Sequence, residues 1–264
     1  GDIPQASTQA YILPFLEAGN SYETFNFSYQ VNGNNNNAQA RIQNIPSYHC
    51  PSDPGANRHL VANIIDSAST NYMQCMGAHA NHAGYVVSGV VTQPTPEHGV
   101  FIRNKGARFA DIIDGTSNTA MFSEIKKGPN HTSSLLAVQA GTPNDFKVAT
   151  AVTGPWTGAD LLTPPAACEN RATTAWMYRG LQYYRGLLVA TYYNHTMSPN
   201  AKRRDCITTS LWQGHMAARS FHPGGVHVAL ADGSVRFVTD SVDLVAWRAL
   251  GTMANGEVIT GILD

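Results

Sequence analysis

The clearest pattern of apolar and polar positions lies near the end of the chain. Val226, Val228 and Leu230 alternate with His227, Ala229 and Ala231, which predicts a strand with one apolar face. Asp232-Gly233 follows, and both residues tolerate positive φ, so the pair is a strong hairpin signal. Val235 and Phe237 begin the return strand. A two-residue turn pairs Ala231 with Ser234, Leu230 with Val235 and His227 with Val238. Ser241 is then placed to cap a helix, SVDLVAWRALG, with Asp243 in its first turn and Gly251 after its end. GEVITGIL reads as a last strand.

Upstream the signals are shorter. Ala10, Leu13 and Leu16 recur at helical spacing between Ala6 and Gly19, with Gly19 placed as a stop and Pro14 forcing a break or kink. NGNNNN at 32–37 is a polar loop, and YHCPSDPG at 48–55 is a turn punctuated by Asp53-Pro54-Gly55. GVFIRN at 99–104 predicts a strand. In ARFADIIDGTSNTAMFSE, Phe109, Ile112 and Ile113 mark one helical face, Asp114-Gly115 closes the turn, and TAMFSE leaves as a strand. From Lys126 to Pro165 the chain is rich in Gly, Pro, Thr and Ala, which predicts long loops with short strands. WMYRGLQYYRGLLVATYY can supply aromatic strands. No fixed-period repeat is present. The whole reads as one α+β domain, 1–264, with a mainly antiparallel sheet and a loop-rich, aromatic, insertion-like part at 126–215.

Composition narrows the function. Only 13% of the 264 residues are charged and the net charge is −1, so nothing points to nucleic acid or an anionic membrane. Lys202-Arg203-Arg204 is too short to change that. No stretch approaches the ~20 apolar residues that span a bilayer, and Gly1 to Gln9 lacks the basic start of a signal peptide. The four cysteines contain no C-x-x-C spacing. Their even number and order predict two disulfides, Cys50–Cys75 and Cys168–Cys206, in an oxidising compartment.

The stretch FHPGGVHVALADGSVRFV offers His222 and Asp232 as a metal or acid–base pair. A strand from Val226 to Ala231 spans roughly 20 Å at ~3.3 Å per residue and holds the two apart. Asp232 and Gly233 then belong to the turn, and His222, before Pro223-Gly224-Gly225, is expected to bind backbone groups. His79 and His82 in HANH bind metal only on a helix, which Gly77 and Gly84 oppose. Calcium is the cofactor that the chain suggests, through Asp111, Asp114, Thr116 and Asn118, without an EF-hand pattern. The plainer reading makes Asp114 a turn residue, with Thr116 and Asn118 bonded to nearby backbone. No hydrolase motif of the types G-x-S-x-G, H-E-x-x-H or G-x-x-x-x-G-K-[ST] occurs, so no catalytic residue is assigned. Trp156, Trp176, Tyr183, Tyr184, Tyr192, Tyr193 and Trp212 in expected loops suit stacking on sugar rings, which makes a polysaccharide-binding module the alternative function.

His222, nine residues and then Asp232-Gly233 match the H-X9-DG signature at the C-terminus of a bacterial pseudopilin-like family of unknown function, which this chain resembles. AYILPFLEAGNSYETFNF, YHCPSDPGA, NYMQCMGAHA, DIIDGTSNTAMFSE, DCITTSLWQGHMAARSFHPGG and the final NGEV fit it in order. The resemblance implies a type IV pilin relative, with a prepilin cleavage site and a long apolar N-terminal helix that anchors the protein and packs it against like subunits. Neither occurs in this sequence, so the chain is expected to be the pilin-like ectodomain. The implied role is a non-enzymatic structural or surface-adhesion subunit outside the cytoplasm.

Overall fold

The computed structural model describes residues 5–61, 65–82, 86–87, 90–91, 94–103, 105–131 and 133–257. The strand expected at GEVITGIL lies, from residue 258 on, outside the described residues. The fold is α+β, with short helices and two five-stranded sheets. Among the described residues no helix is long and apolar enough to cross a membrane.

The first sheet runs in the order Tyr192–Tyr193, Tyr72–Cys75, Ala120–Glu124, Gly225–Leu230, Val235–Thr239. Its neighbours are antiparallel except for Tyr192–Tyr193, which lies parallel to Tyr72–Cys75. Alternation along each strand splits the side chains between two faces. Met73, Cys75, Val226, Val228, Leu230 and Val238 go inward and join Trp247 and Leu250 in the main core. Each such aliphatic side chain contributes ~1.5–3 kcal/mol by leaving water. Tyr72, Phe122, Glu124, His227 and Ala229 take the opposite face.

The closing hairpin forms, but one residue out of the expected register. Val226 faces Val238, and His227 faces Phe237. The loop is Ala231-Asp232-Gly233, closed by Leu230 N–H to Ser234 O at 2.9 Å, with Gly233 at φ 87°. The neighbouring chain draws Ala231 out of the strand: its N–H donates to Thr119 O, and that of Asp232 donates to Thr116 O. Asp232 Oδ1 accepts from Ser234 N and Oγ at 2.8 and 2.7 Å, which favours a three-residue loop over the two-residue one. A shift of one residue exchanges the faces of the return strand, so Val238 is buried and Phe237 is not.

Helix Leu244–Gly251 is capped by Asp243, whose carboxylate accepts from Val245 N and Ala246 N; Ser241 instead meets Thr239. At the N-terminus Ser7 caps Thr8–Tyr11, a 3-10 turn Leu13–Leu16 follows with Pro14 at its start, and Glu17 at φ 57° ends it. Gly19 begins the next turn, Gly19–Tyr22, rather than stopping the first. The expected strand at 99–104 reduces to Phe101–Ile102, paired with Lys105–Gly106. The expected helix at Phe109 is a single 3-10 turn, Phe109–Asp111. Phe109 and Ile113 stay exposed, so no buried face rewards a longer helix.

Within 126–215 the weakly patterned chain builds the second sheet, in the order Gly214–His215, Asp205–Thr208, Ala149–Val152, Thr174–Trp176, Leu135–Ala137. Arginine–carboxylate pairs anchor it, with Arg179, Arg204 and Arg219 buried. Arg179 and Arg219 meet Asp205 at 3.0 and 2.8 Å, and Arg204 and Arg171 share Asp145. A disulfide joins Cys168 to Cys206 on the Asp205–Thr208 strand and packs with Val152 and Trp156.

Candidate functional site

The second expected disulfide does not form: Cys50 and Cys75 are free thiols. Cys75 points into the core, its Sγ 3.7 Å from Gly251 O. Cys50 lies at the outer face of the same sheet, beside Tyr72 and Glu124. The sheet stands between the two sulfurs.

Cys50 instead meets groups far away in sequence. Its Sγ lies 3.6 Å from His222 Nε2 and 3.9 Å from Glu124 Oε1. His222 Nε2 and Glu124 Oε1 are 3.1 Å apart. The His222 ring therefore serves side chains, not the backbone groups expected for a turn histidine. The other carboxylate oxygen, Glu124 Oε2, accepts from the backbone N–H of His227 at 2.7 Å and lies 3.2 Å from its Nδ1. Cys50, Pro51, Tyr72, Phe122, His222 and Val235 help to line a cleft of about 400 Å³ over this cluster. Burial holds the Tyr72 hydroxyl above its ordinary value, and Cys50 and Glu124 add to the effect.

Each member is placed by local structure. Asp53, the turn residue of YHCPSDPG, accepts from Asn71 Nδ2 at 2.6 Å and from Lys127 N at 3.0 Å; Asn71 Oδ1 in turn holds Cys50 N–H at 3.0 Å. Glu124 ends its strand, and its carbonyl accepts from Arg219 N–H at 2.8 Å, which draws in the segment that carries His222. His222 N–H donates to Ser220 Oγ, which donates to Gly225 O at 2.6 Å. Gly225 is required there, since a Cβ would sit 2.3 Å from Val238 O.

The chemistry of the cluster is that of convergence on one point. A nucleophile–base–acid relay uses both nitrogens of its histidine, one toward the nucleophile and the other toward the acid. Here Cys50 and Glu124 both face Nε2 of His222. Thiol, imidazole and carboxylate are the donor types of a transition-metal site, and these three ligand atoms fall within 4.8 Å of one another.

The other expected sites are placed elsewhere. Asp232 lies in the hairpin loop, beyond the strand that separates it from His222. Asp111 pairs with exposed Arg108, while Asp114 accepts from Asn255 N and Gly256 N and its carbonyl from Asn118 Nδ2. The carbonyl of Thr116 accepts from Asp232 N–H at 3.1 Å. His79 packs against the His98 ring and His82 against Tyr192, and burial lowers the pKa of both histidines. Of the aromatic residues, Trp156, Tyr183, Tyr184, Tyr192 and Tyr193 are buried. Trp176 stacks on Tyr178, and Trp212 packs against the core with Arg103 over its ring. They form no exposed stacking platform, because they serve three separate core clusters.

Sequence reasoning singled out His222 but neither Cys50 nor Glu124 as its partners. The family model described as "Protein of unknown function (DUF1559)" matches residues 4–245, and the chain belongs to that family. No curated protein and no solved structure matches it.

Proposed function

We propose that this chain is the extracytoplasmic domain of a non-enzymatic, pseudopilin-like structural or surface-adhesion subunit of a bacterial envelope. The Cys168–Cys206 disulfide carries the reading, because a buried bridge that ties the 3-10 turn Ala166–Glu169 to an inner strand of the second sheet suits an oxidising compartment. The H-X9-DG stretch supports it as architecture: His222 stands before the edge hairpin and Asp232-Gly233 turns it. The facing of Cys50 and Glu124 toward one histidine nitrogen supports a role without covalent catalysis. Like subunits are the partners in this reading.

The test is made in the native bacterium. Envelope fractionation and site-specific crosslinking from exposed Phe109 are expected to place the protein outside the cytoplasm, in contact with copies of itself or with pilin-type subunits. Recovery from the cytoplasm, with Cys168 and Cys206 both alkylatable before reduction, would overturn the proposal.

A further inference from the structure

We propose that Cys50, Glu124 and His222 form a site for one zinc-type divalent ion on the outer face of the first sheet, with a fourth coordination position open to the cleft. Spacing carries the inference. A tetrahedral ion with bonds of ~2.3 Å to sulfur and ~2.0–2.1 Å to nitrogen and oxygen separates its ligand atoms by ~3.6 Å for S–N, ~3.6 Å for S–O and ~3.4 Å for N–O. The observed separations are 3.6, 3.9 and 3.1 Å. Each differs from its target by no more than ~0.3 Å, which small side-chain rotations supply.

The surroundings fit a site with exchangeable access. Three protein ligands and an open position match zinc centres that keep a water or substrate, rather than closed four-ligand structural centres. The His222 side chain is 30% exposed and Glu124 5%, so the ion is reached from the histidine side. His227 orients the carboxylate through Glu124 Oε2 and is a positioning residue. Cys50 Sγ lies within hydrogen-bonding reach of both His222 and Glu124, and those two stand at ion-pair distance. The ion would also cover a thiol that otherwise faces the cleft.

The inference is independent of the envelope reading. The probes are Co²⁺ and Zn²⁺ added to the whole purified chain, reduced mildly and stripped with chelator. One Co²⁺ per chain is expected, with a thiolate-to-cobalt absorption band that Zn²⁺ abolishes by displacement. Cys50→Ser and His222→Ala should lose the band, and His227→Ala should keep it while affinity falls ~10–100-fold. In unaltered protein, one equivalent of Zn²⁺ should slow alkylation of Cys50 by ~10-fold or more. This arm needs no variant to fold. Absence of stoichiometric binding, a band that survives Cys50→Ser or His222→Ala, or an unchanged Cys50 alkylation rate would overturn the site.

Discussion

Asp205→Asn keeps the shape of a buried side chain and removes a negative charge shared by two guanidinium groups. Asp205 Oδ2 lies 3.0 Å from Arg179 Nε, and Oδ1 lies 2.8 Å from Arg219 Nη2. The Asp205 and Arg179 side chains are fully buried, and that of Arg219 is 2% exposed. Burial already pulls Arg179 down to about 10, against the opposing pull of Asp205. Breaking such a buried pair costs ~3–5 kcal/mol, because a charge is left without its counter-charge. Arg219 keeps the carbonyls of Ala201 and Arg203 at 2.6 and 2.5 Å, and Arg179 keeps that of Ala217. These retained bonds place the expected loss at the lower end, about 3 kcal/mol, a substantial part of the ~5–15 kcal/mol of a typical domain. Urea unfolding at pH 7, followed by circular dichroism with the disulfide intact, measures it. A loss below ~1 kcal/mol at unchanged slope would refute the premise that both guanidinium groups depend on this carboxylate.

Replacing Cys168 and Cys206 with serine reopens a loop of 38 residues and should cost ~4 kcal/mol in the chain-entropy model, read from the same urea curves. Alkylation under denaturing, non-reducing conditions should label Cys50 and Cys75 but leave Cys168 and Cys206 unmodified. Burial lowers His82 and His98 to about 4 and His195 and His215 to about 3. The unfolded chain binds these protons first, so stability is full above pH ~6.5 and falls toward pH 4 by ~1.4 kcal/mol per pH unit for each histidine. Equal urea midpoints at pH 7 and pH 5 would count against that burial. Gly225→Ala should destabilise by ~1–3 kcal/mol through overpacking against Val238 O, whereas Gly224, with open space around it, should respond to Ala only through its positive φ.

Local periodicity made the last part of the fold legible. Alternation at 226–230 and the apolar stripe of 244–250 each reflect one buried face, and the structure buries those faces. Pro14 likewise marked the break in the first helix. The register did not follow from the Asp-Gly pair, since contacts with Thr116 and Thr119 decide the loop length. The second sheet was obscure because its strands are short and one pair is parallel, so no strand carries a long alternation. The candidate site was half legible. His222 stood out, but Glu124 and Cys50 lie 98 and 172 positions away, and no local spacing links them. Cysteine parity misled for the same reason: it counts thiols without knowing which face of a strand each occupies. A signal was nonetheless present, in that Cys50, Glu124 and His222 sit in three separate blocks, YHCPSDPGA, DIIDGTSNTAMFSE and DCITTSLWQGHMAARSFHPGG.

The strands Ala120–Glu124 and Gly225–Leu230 are neighbours in one sheet, yet the chain builds the second sheet between them. Glu124 and His227 are hydrogen-bonded across 103 positions. Closing so large an interval costs entropy before any pairing offsets it, and topologies of this kind fold slowly. During synthesis Ala120–Glu124 can pair with Tyr72–Cys75 while its other edge waits for residues made much later. That waiting edge is a hazard for strand exchange between nascent copies until residues 225–230 have been made.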